Sequence, residues 1–203
     1  MKKKKKISSH KFKYILIKLK HMKISETLYV VDRKEWRFWL AKNCSKKKEI
    51  WLIYYKKSSK KPRIPYNDAV EEALCYGWID STVKSIDEEK FAQRFTPRKS
   101  KKVSVMNKER VTRMLKQKKM TKRGLDVIDL EEEKEFTISE DIIKAFKENK
   151  QAWQNFQKFP EYYKRIRIGY LEMQRKHSNK SFERSLNNLI KKSRDNKKFG
   201  MIR

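Results

Sequence analysis

Apolar residues recur with different periods in the two halves of the chain. Asp32 with Glu35 three positions on makes a capping-box-like start, and Trp36, Trp39 and Leu40 then share one helical stripe through Asn43. Glu49 to Lys57 reads EIWLIYYKK, a β-branched and aromatic run of strand length, with Trp51, Ile53 and Tyr55 on one face. Two prolines make Ser58 to Pro65 a loop. Ala69, Val70, Ala73 and Leu74 then predict a helix over Tyr66 to Tyr76, closed by Gly77. Trp78 to Asp87 and Lys90 to Pro97 both alternate, and the cluster Asp87 to Glu89 between them makes a β-hairpin the natural reading. Val111, Met114 and Leu115 predict a helix over Asn107 to Lys118, with Ser104 or Asn107 as its N-cap. Gly124 separates it from a shorter helix that runs into the acidic segment Glu131 to Glu135.

From Ile138 onward no stretch resembles a strand. Ile142, Ile143 and Phe146, then Trp153, Phe156 and Phe159, then Tyr163, Ile166, Tyr170 and Leu171, then Phe182, Leu186, Leu189 and Ile190 recur at helical spacing. Three or four short helices follow, broken near Asn149, at Pro160 and at Ser178 to Asn179. The expected class is α+β: a small antiparallel sheet, built from the Trp51 strand and the hairpin, packs against helices, with a helical C-terminal region. The expected units are a basic disordered tail or over-long start at 1–21, an α+β domain at 22–128, an acidic connector at 129–137 and a helical region at 138–203.

Charge changes this picture in one respect. The 203 residues carry a formal net charge of +30, which points to nucleic acid or an anionic surface. Lys, however, outnumbers Arg by 41 to 14 with only 4 Gly, the bias of an AT-rich coding sequence, whereas phosphate-gripping proteins favour the planar fork of Arg. Much of the charge therefore reads as compositional. The first 21 residues hold nine Lys and no acid, and their apolar segment Tyr14 to Leu19 is too short and too interrupted for a secretory signal. No run approaches a membrane span, so a cytoplasmic location is expected.

Enzyme chemistry finds little footing. Cys44 and Cys75 lie far from one another and from His10, His21 and His177, so a disulfide framework, a metal site and a cysteine nucleophile are all unpromising. No nucleophile elbow or glycine-rich phosphate loop is present, and no catalytic residue, metal or cofactor is assigned. Asp80 and Asp87 could form a carboxylate pair, although Asp87 is a natural turn residue.

The hairpin offers the better surface. Alternation puts Trp78, Asp80, Thr82 and Lys84 on one face of its first strand, and Arg94, Thr96 and Arg98 opposite Phe91, Phe95 and Pro97 on its second. If the phenylalanines are buried, the arginines form a basic rail with guanidinium groups about 13 Å apart. The candidate ligand residues are Lys56, Trp78, Asp80, Arg94, Thr96 and Arg98, with Lys56 and the arginines as anion donors, Trp78 as a stacking surface and Asp80 as the orienting acid. The expected partner is an anionic small molecule or a phosphate-bearing molecule. The competing readings are an Arg94 pairing with Asp80 or Asp87 that merely ties the hairpin, general nucleic-acid binding, and an enzyme acting on a small anionic metabolite.

Several stretches carry a family resemblance: EWRFWLAKN (35–43), WLIYYKKSS (51–59), EEALCYGWID (71–80), RFTPRKS (94–100) and GYLEMQRKHSNKSFERSLNNLI (169–190). Over roughly Met22 to Gly200 the chain resembles the YdeI/OmpD-associated family of bacteriocin-protection proteins. It departs from the family pattern at Val103 and Ser104, where a Trp-Ser pair is usual, and at Lys119, which stands where a Gly is usual. The resemblance implies a stress or antimicrobial-peptide protection role without an agreed activity.

Overall fold

A computed structural model describes residues 23–130 and 136–200. The basic segment 1–21 and the acidic run Glu131 to Glu135 lie outside the described residues. Four strands form one sheet: β1 (Thr27–Leu28), β2 (Ile50–Tyr55), β3 (Trp78–Ser85) and β4 (Lys90–Pro97), in the order β1-β2-β4-β3. β3 and β4 are the expected hairpin, and β4 lies antiparallel between β3 and β2. β1 runs parallel to β2, so the sheet is mixed. A two-residue strand has no alternation for a sequence pattern to detect.

Helices α1 (Arg33–Asn43) and α2 (Tyr66–Cys75) cover one face of the sheet. Asp32 caps α1 by accepting from the amides of Lys34 and Glu35 at 2.7 and 3.0 Å, while Glu35 reaches back to the amide of Val31. Trp36 and Leu40 of α1 meet Ala69, Val70, Ala73 and Leu74 of α2 over Ile50, Leu52, Tyr54, Trp78 and Phe95 of the sheet. The helix-facing row of β2 is thus the one opposite Trp51, Ile53 and Tyr55. Gly77 ends α2 at φ +72°, in the left-handed region where a Cβ is unfavourable.

Two further helices complete this region, α3 (Val105–Lys116), capped by Ser104, and α4 (Lys122–Asp126). Gly124 lies inside α4, contrary to its expected place between helices. Thr121 caps α4 through the Gly124 amide and donates its own hydroxyl to the Cys75 carbonyl, which holds the Gly124 backbone against the end of α2.

The helical region comprises α5 (Glu140–Lys147), α6 (Lys150–Lys158), α7 (Glu161–His177) and α8 (Asn179–Arg194). Its core is Ile142, Phe146, Ala152, Phe156, Tyr163, Leu171, Phe182, Leu186 and Leu189, drawn almost wholly from the predicted stripes. Tyr170 departs from its stripe and is exposed. α7 packs on α3, with Gly169 against Val105. Among the described residues no helix is long and apolar enough to cross a membrane.

Candidate anion-binding site

The six candidate residues do not converge on one surface. Phe91 and Phe95 turn towards the helices, and Arg94 and Thr96 towards the other face, as alternation requires. Arg94 sits in register with Trp51 and forms an ion pair with Glu49, its Nε 2.9 Å from a carboxylate oxygen. The acid is Glu49, one position before β2, rather than Asp80 or Asp87. Glu49 also accepts from Ser25, and the Ser25 and Arg94 bonds together hold its carboxyl below its ordinary range. Thr96 is half-buried in register with Ile79.

Trp78 is fully buried, and its indole N–H donates to the Cys44 carbonyl at 3.1 Å. It belongs to the core, with Trp39 set edge-on against it, and offers no face for stacking. Asp80 lies on the helix side of the sheet, where it accepts from the Tyr66 hydroxyl at 2.7 Å. Arg98 curls back to donate to the carbonyls of Ser100 and Lys102 at 3.1 and 2.8 Å, which organises the turn into α3. Lys56 is exposed at the far end of β2, beside the Asp87 carbonyl. The rail fails for one reason: its arginines are occupied by nearer acceptors.

An arginine without such acceptors lies in the helical region. Arg167, in the middle of α7, is only 7% exposed, and among the described residues its buried Nε has no hydrogen-bond partner. Its guanidinium lies 5.5 Å from the centre of the Tyr163 ring and 4.4 Å from that of Phe199. Burial lowers its pKa from the ordinary value. Tyr163, Arg167 and Leu171 follow one another at i, i+4 and i+8, so the helix that turns the two apolar residues inward must turn the arginine inward as well.

The cavity beside Arg167 has a volume of about 600 Å³ and lies between α7, α8 and the segment after α8. Arg184, Ser185 and Asn188 of α8 line it together with Tyr170, and none of its lining residues is acidic. Two cations and several neutral hydrogen-bonding groups therefore face a common space. Such a set matches the oxygens of a phosphate or carboxylate, which accept from several donors at once.

The part-buried Arg33 and the buried Arg110 are compensated differently. Arg33 reaches Asp68, Glu71 and Glu72, and Arg37 and Arg113 complete the cluster through Glu72 and Glu71. Burial alone would lower the Arg33 pKa, but the hydrogen bond and charge of Glu72, with the charges of Glu71 and Asp68, raise it overall. Arg110 donates to the side-chain carbonyls of Asn67 and Asn107, both at 2.8 Å. Among the described residues Arg167 has only aromatic faces. Sequence reasoning passed over it because the stripe it interrupts is apolar on both sides; that interruption was itself the available signal.

Among the described residues no group of acids, histidines or cysteines is placed to hold a metal ion. Compared with known proteins, residues 28–127 match a family described only as a domain of unknown function (DUF8412). The GWID and RFTPR stretches fall in that segment. No curated protein and no solved structure matches the chain significantly. The second match covers α5 to α8 and includes Arg167 and Arg184: residues 135–196 match the family described as Bacteriocin-protection, YdeI or OmpD-Associated.

Proposed function

We propose that this is a non-enzymatic cytoplasmic protein of stress or antimicrobial-peptide protection that captures a phosphate- or carboxylate-bearing partner in the helical region. Arg167 and Arg184 supply the charge, and Ser185, Asn188 and Tyr170 supply further hydrogen bonds. In this reading the α+β unit, 22–128, and the helical unit, 138–203, are separate domains joined through 129–137. The protective role comes from the name of the family matched at 135–196 and from nothing in the cavity.

One observation carries the binding reading: Arg167, 7% exposed as a residue, has among the described residues no acid beside it and a buried Nε without a hydrogen-bond partner, and it borders a cavity of donors. Removing a charge from water costs several kcal/mol unless it is paired, and an entering anion would supply the missing pair. Thermal melts with inorganic phosphate, AMP and a short oligonucleotide at two ionic strengths test this. A ligand at 100 times its dissociation constant stabilises by about 2.7 kcal/mol. That gain should vanish in Arg167→Met and persist in Arg94→Ala. Binding confined to the oligonucleotide, with a slope of about −0.9 per phosphate in a log-log salt plot and no dependence on Arg167, would replace this reading with general nucleic-acid binding.

A further inference from the structure

β3 contains an irregularity that opens a second cavity, on the helix-facing side of the sheet. The β3–β4 register shifts between Asp80 and Val83, so Asp80 lies opposite Phe95 while Val83 lies opposite Gln93. Bulges of this kind re-aim side chains and are common beside functional sites. The result is a cavity of about 470 Å³, lined by Tyr54, Tyr66, Asp80, Val83, Phe91 and Gln93 among others. Its size falls in the range of small-molecule sites.

Two polar groups of this cavity, on Tyr54 and Gln93, are buried and under-used. Tyr54 is 2% exposed, yet among the described residues its hydroxyl has no hydrogen-bond partner. An unmade bond at a buried hydroxyl is unfavourable, so this group is the strongest sign that something completes the site. Gln93 is also buried, and its side-chain N–H reaches only the Thr82 carbonyl, at 3.5 Å. Asp80 is fixed through one carboxylate oxygen by Tyr66, and among the described residues its other oxygen accepts no bond. The Tyr54 and Phe91 rings stack in parallel, 5.3 Å apart, and with Val83 give the cavity an apolar wall.

Charge narrows the choice of ligand. Arg63 lines the same cavity as Asp80, so one cationic and one anionic side chain border it and neither a cation nor an anion is favoured. Hydroxyl groups both donate and accept, so a ligand bearing adjacent hydroxyls can donate to Asp80 while bonding Tyr54 and Gln93 in either sense. We infer that the Asp80–Tyr54–Gln93 cavity binds a neutral, hydroxyl-rich ring of monosaccharide size, with its apolar face against the aromatic wall. This inference is independent of the Arg167 site.

Saturation-transfer NMR titrations of the full chain with glucose, galactose and N-acetylglucosamine test it, with uracil as a flat, non-sugar control. At least one sugar should receive saturation at its ring protons, with affinity about tenfold lower in Asp80→Asn and in Tyr54→Phe, and unchanged in Arg167→Met. Tyr54→Phe keeps the buried ring, and a melting curve verifies that each variant is folded. Transfer to none of the three sugars, transfer to uracil alone, or sugar affinities unaltered in both pocket variants would overturn the inference.

Discussion

Gly200 lies against the guanidinium of Arg167: a Cβ built on this glycine would come within 1.9 Å of Nη2. With φ at +91°, the position also disfavours any L side chain. The segment after α8 therefore closes over the arginine only because residue 200 has no side chain. Gly200→Ala should push the flexible guanidinium aside while leaving the α7–α8 core intact. The expected result is an unchanged far-UV spectrum, a loss of stability of about 1–2 kcal/mol, and a reduced phosphate-dependent rise in melting temperature.

The Arg33 cluster makes the opposite prediction. Glu72 is 1% exposed and accepts from Arg33 and Arg37, at 2.9 and 2.7 Å. Removing one partner of a buried ion pair leaves the other charge uncompensated, which costs about 3–5 kcal/mol. Urea denaturation of Glu72→Ala should show a loss of that order. A loss under 1 kcal/mol would mean that the cluster is solvated.

Acid sensitivity should trace in part to Glu49. Its folded-state pKa is depressed by the Ser25 and Arg94 hydrogen bonds. It therefore adds stability above its ordinary value of about 4.5, and that contribution is lost as pH falls through the lower folded-state value. Glu49→Gln should flatten the stability curve below about pH 4.5, measured by urea midpoints across acid buffers. The same slope in variant and parent would assign the acid sensitivity to other carboxylates.

Cys75 is fully buried, and burial pushes its thiol up to about 11, with the Glu72 charge adding to the effect. Little thiolate exists at pH 8, and it is screened from solvent. Iodoacetamide at pH 8 should leave Cys75 unmodified in the native protein and label it fully in urea, as peptide mass spectrometry will report.

The sequence carried most of the fold because its signals were local. The stripe in α6 and the alternation of β3 and β4 each report one buried face, and both were legible. The candidate site was less legible because pairing is not local. Nothing in the order of residues reveals that Glu49 reaches Arg94 across two strands, or that Trp78 donates to Cys44. Asp80 was singled out as an orienting acid, and its partner Tyr66 stands fourteen positions earlier, on another element. Arg167 was hidden for a different reason: an arginine within an apolar stripe reads as a surface residue until its neighbours prove to be rings and a glycine.

The most direct test of the account is the melting temperature of Arg167→Met with and without phosphate. An uncompensated buried cation replaced by an apolar side chain of similar length should leave the free protein as stable or more stable, and phosphate should no longer raise its melting temperature. A variant that melts well below the parent in phosphate-free buffer, or that still gains stability from phosphate, would contradict the claim that Arg167 is held ready for an anion.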